Sequence, residues 1–454
     1  MRRKRHPQRS LFHVMPKSKI GEELAGISEL LDEIPESLDW VHEDLVGNRQ
    51  STTGRQGMSA EQVLRAAVLK QSQNLTYEEL EFHLSDSAAF QAFARLEVNQ
   101  CTKSSALQTN ITALTETTWE RINRLVVRQA KVEGLEDGRV VRLDCTAVDT
   151  DIHHPTDSSL LLDGIRVLTR LMVEGKQLSP RPGYRLHDHR RVVKKRALTI
   201  LNAKNTDVRT RAYRELLRYA DRVRGYAVDA ILTLRAGDAD NPKAALTASA
   251  LATMIEQALS IFERVMDQTE RRVLHGEMVP ASEKVVSFFE THTDIIVKKR
   301  RETQFGHKVC LMGGRSNVIL DVWMPRGNPA DTDLLRPMVE RHAEIYGTVP
   351  DQLTADGGFA SKDNLNWVKD KGVTEVCFAK RRGLPVAEMV SNSRIYKKLR
   401  KFRAGIEANI SALKRAYGLG HCNWTGWAGF QRYIWSAVSS YNLFVLARAR
   451  LACE

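Results

Sequence analysis

The stretch Val140-Val-Arg-Leu-Asp144-Cys-Thr-Ala-Val148 reads as a β-strand, because β-branched and apolar residues crowd around one aspartate. A second stretch, Gln352-Leu-Thr-Ala-Asp356-Gly-Gly358, is a short strand that ends on an aspartate at a turn-forming Asp-Gly pair. A third acid, Glu407, sits in Arg403-Ala-Gly-Ile-Glu407, where Phe402, Ile406, Ile410, Leu413 and Tyr417 recur at helical spacing. Arg403, Glu407 and Lys414 are offset by four and eleven residues. At ~100° per residue these steps bring all three to one face beside the apolar stripe.

Two carboxylates at strand ends and one on a late helix suit two-metal phosphoryl transfer. Two divalent ions activate an attacking hydroxyl and stabilise the leaving oxygen. Mg²⁺ takes few carboxylates and keeps waters, so three acids from distant segments suffice. Asp144, on the central strand, is the candidate bridging ligand. Each acid also has a plain structural reading. Asp144 has Asp149, Asp151 and Asp157 as neighbours in sequence, Asp356 can serve only the turn, and Arg403 with Glu407 can be a surface pair.

Other residues carry weaker signals. The run Lys397-Lys-Leu-Arg400-Lys401 before Glu407 is dense enough to meet phosphates, and Lys308 opens a strand near the acids. His292-Thr-Asp294 is too sparse for a metal site. Trp424, Trp427 and Trp435 suit either base stacking or the core of a final helix.

The chain has 454 residues, which is too many for one core and implies two or three domains. Its net charge is +13 with a pI near 9.5. That suits a polyanionic partner, nucleic acid before an acidic membrane, since no run of ~18 consecutive apolar residues stands out. The six cysteines form no C-x-x-C pair, so neither a zinc knuckle nor a disulfide framework is expected, and reduced thiols in a cytoplasmic protein are the simpler account. The basic start, Met1 to Arg9, lacks the apolar core of a secretory signal.

The order of elements predicts an α/β fold in three parts. Residues 1–135 read as an all-helical DNA-binding or dimerisation domain, with capping-box spacing at Ser59…Gln62 and Thr76…Glu79. Residues 136–160 and 281–454 read as the catalytic core. It contains short strands at Val285–Glu290 and Thr374–Ala379, a hairpin made by Lys308–Met312 and Val318–Met324, and helices over Asn328–Ile345 and Lys362–Lys371. Residues 161–280 read as a basic helical insertion after the first core strand. From Arg181 to Arg224 it holds 14 Lys or Arg against four acids, which favours a surface that tracks phosphates.

With those segments in view, the chain resembles a bacterial insertion-sequence transposase of the DDE type, nearest the ISNCY group. Leu143-Asp144-Cys-Thr-Ala-Val148 is similar to the first-Asp strand. Leu353-Thr-Ala-Asp356-Gly-Gly-Phe359 is similar to the second-Asp segment, with Phe where Tyr is usual. Phe402-Arg403-Ala-Gly-Ile-Glu407 followed by Lys414 resembles the Tyr–Arg–Glu–Lys signature, with Arg400 at the Tyr position. Gly57–Arg65 and Thr76–Leu80 also resemble the helical entry domain of such proteins.

The resemblance implies an RNase H-like core and catalytic, metal-binding Asp144, Asp356 and Glu407 with two Mg²⁺ (or Mn²⁺) ions. It implies DNA contacts from Arg403 and Lys414, and double-stranded DNA as partner, both terminal inverted repeats and target. A homodimer or larger assembly, a bacterial nucleoid-associated location and no membrane partner go with it. The spacing from Asp144 to Asp356, 212 residues (356 − 144), is explained by the insertion; Asp356 to Glu407 is 51 residues (407 − 356). Two other readings remain from the residues alone: a catalytically inactive or domesticated DNA-binding protein, and a hydrolase using paired carboxylates on a sugar.

Overall fold

The strand around Asp144 runs as β1 (Val140–Thr150) through the middle of a mixed sheet. The structure is a computed structural model describing residues 2–5, 18–47, 57–97, 100–178, 183–236, 242–298 and 302–453. Its contacts divide it into two units. One joins residues 1–151 to 306–454, and the other is 152–305.

In the first unit, seven helices precede β1: α1 (Lys19–Glu33), α2 (Ser37–Val46), α3 (Ala60–Ser72), α4 (Tyr77–Asp86), α5 (Ala88–Ala94), α6 (Ser104–Ile111) and α7 (Glu116–Val132). Both capping boxes form. Ser59 and Gln62 close the start of α3, and Thr76 and Glu79 close that of α4, each satisfying two backbone N–H groups that a helix start leaves free. Of the basic N-terminal run, Lys4 pairs with Asp39, and residues 6–9 lie outside the described residues.

The second unit is helical: α8 (Asp157–Leu178), α9 (Arg190–Asn202), α10 (Thr206–Ala236) and α11 (Pro242–Thr269), which ends in a π turn. By length and composition, Pro242–Leu274 could cross a membrane. Here its Leu251, Ile255, Phe262 and Val265 fill the core of this unit together with α8 and α10. The unit extends beyond the expected 161–280 at both ends. Val285–Glu290 is not a strand. Val285 is buried there, and its N–H and C=O are both taken by the Gln268 side chain (2.8 and 3.1 Å), so the pairing capacity that makes a strand is already used.

Two strands follow, β2 (Asp294–Lys298) and β3 (Glu302–Gly313), which pair with each other. β4 (Ile319–Trp323) completes the expected hairpin with β3, the turn held by the Gly314 N–H donating to Val318 O (3.0 Å) and by Asn317 in the left-handed region. α12 (Asp331–Tyr346), β5 (Gln352–Ala355), α13 (Lys362–Asp370) and β6 (Glu375–Phe378) come next, then α14 (Val386–Met389), α15 (Ser393–Ala416), β7 (His421–Cys422) and α16 (Gly426–Leu451).

The path across the sheet is β2-β3-β1-β5-β6, with β4 also pairing with β3 and β7 with β1. β3 is antiparallel to β1 and to β4, while β5 and β6 run parallel to β1. Parallel neighbours need a crossover, which α12 and α13 supply.

One continuous hydrophobic core joins the sheet to the N-terminal helices. Its centre is α16, which carries Phe430, Ile434, Trp435, Val438, Leu443 and Phe444 into the core and packs on α1, α3 and α7. Residues 1–135, read from sequence as a separate domain, thus share the unit and core of the sheet.

A single amide ties these layers together. Asn442 of α16, fully buried, accepts from the Ile319 N–H (2.9 Å) and donates to Ile319 O and Asn123 Oδ1 (2.7 Å each). The side chain thus stands in for a neighbouring strand along β4. Asn442→Leu leaves both Ile319 groups buried without partners. Chemical denaturation of this variant is expected to show a loss of at least about 2 kcal/mol.

Candidate active site

The register of the parallel pair brings the first two acids together. Leu143 lies opposite Ala355, so Asp144 and Asp356 each come one residue later, where β5 ends and β1 continues. The third comes from α15, which packs on β1, β5 and β6. Arg142 sets its position. Residues 142 and 144 share one face of β1, and Arg142, 4% exposed, reaches α15. It donates to Phe402 O (3.3 Å), Asn409 Oδ1 and Asn317 Oδ1 (2.8 Å each), and covers the Phe402 ring. Gly405 makes room for it, since a Cβ there would lie 1.7 Å from the Arg142 Nη1.

The three acids meet at Arg403. Its guanidinium donates to Asp144 Oδ2 and Glu407 Oε1, both at 2.8 Å, and lies 3.7 Å from Asp356 Oδ1. The Asp144 side chain is 15% exposed, Asp356 40% and Glu407 60%, so the cluster runs from a buried base to an open rim. The Cys145 N–H also donates to Asp144 (2.8 Å). Burial raises the Asp144 carboxyl above its ordinary value, outweighing the pull of Arg403 and that hydrogen bond, and Asp356 adds to the rise. For Arg403 burial acts downward, but the three carboxylates together raise it.

Asp144 and Glu407 line a cleft of about 480 Å³ with Thr146, Ser411, Lys414 and Arg415. Carboxylate oxygens are the donors a hard divalent cation takes, and a half-open site leaves room for its waters. Among the described residues, however, no three His, Cys, Asp or Glu side chains are gathered closely enough to hold a metal as they stand. The cation between these three is Arg403.

The other candidates separate. Lys414 donates to Ala147 O (2.8 Å) at the cleft wall. Lys397, Lys398, Arg400 and Lys401 are exposed on the first half of α15. Lys308, opposite Ala147 on β3, donates to Pro329 O (2.6 Å) and Asp331 (2.8 Å) and is only 15% exposed, so its ammonium is bound up within the fold. Among the alternative acids, Asp151 faces His421 (3.4 Å) and Asp157 belongs to the helical unit, where it pairs with Arg272. His292 meets Glu290 (2.7 Å).

Trp435 is core, Trp424 is buried, and Trp427 stacks on Phe430 under the Arg326 guanidinium. In the helical unit, Asp188, Glu215 and Asp221 pair with Arg190, Arg196 and Arg224. Arg191, Lys194, Lys195, Arg211, Arg214 and Arg218 are exposed. Sequence reasoning missed Arg142 and Arg415. An arginine inside an apolar strand was the available signal for the first.

Two outcomes follow for this cluster. Gly405→Ala forces Arg142 out of its hydrogen bonds; it is expected to cost about 1–3 kcal/mol in denaturation. For Asp144, a raised folded value means the native state binds a proton more readily than the unfolded chain. Wild-type stability relative to Asp144→Asn should therefore fall as pH rises from below about 4 through that raised value. Urea melts at neutral pH should find the variant at least as stable as wild type, with the gap closing in acid.

Comparison with protein families gives two matches. Residues 287–443 match the model described as "Transposase DDE domain", and residues 4–111 match "Transposase domain (DUF772)". Asp356 and Glu407 lie inside the first match, whereas Asp144 lies outside both. Neither the curated proteins nor the solved structures contain a significant match. Two transposase models match one chain, one over the N-terminal helices and one over most of the sheet and α15, and together they indicate an insertion-sequence transposase of the DDE type.

Proposed function

We propose that this transposase cuts and joins DNA at the cluster of Asp144, Asp356 and Glu407, set in an RNase H-like core made of β1, β3–β6, α12, α13 and α15. One observation carries the reading: carboxylates from β1, the end of β5 and α15 share a single guanidinium. The mixed strand order and the acids at the ends of the parallel pair support the same core. The three carboxylates would hold Mg²⁺ or Mn²⁺, with Asp144 as the shared ligand. When bound, such ions supply an activated water and neutralise the leaving oxygen.

Water attacks phosphorus at the element end and the P–O3′ bond breaks, leaving a 3′-hydroxyl and a 5′-phosphate. That 3′-hydroxyl then attacks a target phosphodiester, forming one P–O bond and releasing a target 3′-hydroxyl. Arg403 offsets part of the acids' charge in the free protein and, with Lys414, is a cation beside a phosphate lying at Glu407. Lys397, Lys398, Arg400 and Lys401 extend this charge along α15. Lys397 is ten residues before Glu407, roughly 15 Å at helical rise. The exposed arginines and lysines of the helical insertion suit the same duplex. Two ends must be held together, so the working form is a dimer or larger assembly on the bacterial nucleoid.

The test is nicking of a plasmid carrying the DNA that flanks the gene, with Mg²⁺ or Mn²⁺. Asp356→Asn and Glu407→Gln should each slow it on the order of a thousandfold, matching ~4 kcal/mol of lost charge stabilisation, while gel-shift binding persists. Full cleavage by either variant overturns the assignment. A wild-type protein that binds these ends and never nicks them would instead be a DNA-binding relative.

A further inference from the structure

A second cavity in the same unit, of about 620 Å³, lies between the N-terminal helices and the start of α16. Its walls include Lys70 at the end of α3, Tyr77 at the start of α4, and Trp424 and Arg432. Lys70 is 4% exposed and Trp424 is 8% exposed. The Lys70 ammonium sits over the ring of Tyr77 (4.7 Å) and that of Trp424 (6.0 Å), and no carboxylate is within ion-pair distance of it among the described residues. Burial pulls it down to about 8, against which Cys422 and Glu79 act only weakly. The Tyr77 hydroxyl and the Trp424 indole N–H are also buried without a hydrogen-bond partner.

Native proteins seldom leave buried donors unmatched, because each costs about 1–3 kcal/mol. Here two unmatched donors, the Tyr77 hydroxyl and the Trp424 indole N–H, belong to residues that line one cavity, beside the Lys70 ammonium. Arg432 joins them, with Nε and Nη1 donating to Ala428 O and Thr112 O. The polar walls add Thr76, Gln108 and Thr112, and the acid among them, Glu78, is exposed at the rim. Lys70 covers faces of both rings, so what they offer the cavity is their donor edges. That is a site for acceptor oxygens carrying negative charge, not for a stacked base.

We propose that this cavity binds a phosphate of the DNA backbone. The identification of the anion as DNA rests on the function proposed above. Its place in the fold supports it. β7 pairs with the far end of β1, Cys422 opposite Thr150, and Asn423 and Trp424 follow directly. Thr150 is six residues beyond Asp144, roughly 20 Å along the strand. That is within the span of a duplex whose cleaved phosphate lies at the acids. It also gives the helices of the Transposase domain (DUF772) match a defined contact with the substrate.

The test uses the full-length protein, a random-sequence duplex and inorganic phosphate. Tyr77→Phe deletes only the unmatched hydroxyl, and Lys70→Met deletes the charge while keeping the volume. Tyr77→Phe should melt at or above the wild-type temperature, because it removes a buried unmatched hydroxyl. Both variants should bind the duplex more weakly, Lys70→Met by roughly tenfold and with the slope of log affinity against log salt reduced by about 1, Tyr77→Phe with the slope unchanged.

Unchanged duplex affinity and slope in both variants overturns the proposal. So does thermal protection of wild type by inorganic phosphate that Lys70→Met abolishes while duplex binding stays intact, since the site would then take a free anion. If Lys70→Met fails to fold, Tyr77→Phe alone decides. Metal-dependent nicking by the wild type is scored separately. Its absence would count against the acidic site and leave the duplex-binding result on this cavity standing.

Discussion

Arg142 is the contact on which the site depends. It leaves β1 on the same face as Asp144, two residues away, and its guanidinium is buried against α15 and the β3–β4 turn through Phe402, Asn409 and Asn317. With Nη1 and Nη2 donating to three acceptors on two elements, this buried guanidinium admits few positions of the helix. Gly405 allows the close approach, and Asn409 continues the network to Tyr441 of α16 (2.6 Å). The height of Glu407 above Asp144 follows from these contacts, one turn of helix away from them.

What results is three carboxylates that repel one another, held by one arginine. Like charges this close, one of them mostly buried, are unfavourable without a counter-ion. Arg403 supplies it from the same helix that carries Glu407, so free protein keeps its acids converged with part of their charge offset. The exposure gradient matters too. Asp144 is held by burial and by the Cys145 N–H, while Glu407 is open and joined only by its arginine. A buried base with an open rim is what a site needs if it is to admit a hydrated cation and a large substrate.

Much of this was legible in the chain. The capping boxes at Ser59 and Thr76, the hairpin, the helices after it and the strand around Asp144 all have short-range causes, and all formed. Val285–Glu290 was misread because its apolar residues fill a helical core and the Gln268 side chain takes the Val285 backbone groups. Lys308 reads as a cation near the acids that could meet DNA, yet its ammonium is bonded to Pro329 O and to Asp331 at the start of α12. Residues 1–135 read as separate because their pattern is helical throughout. Periodicity does not reveal that their buried faces and those of α16 form one core.

The sequence by itself determined the local elements, the basic charge, the long helical insertion and the residue types a phosphoryl-transfer site requires. Those properties depend on neighbours a few positions apart or on composition. Only the tertiary structure decided that Asp144 and Asp356 are adjacent, through a strand register set 212 residues apart (356 − 144). It alone decided that Arg403 bridges all three acids and that Arg142 fixes the helix bearing two of the four charged groups. Those are contacts across long loops, chosen by which buried donors find acceptors, and no spacing in the chain encodes them.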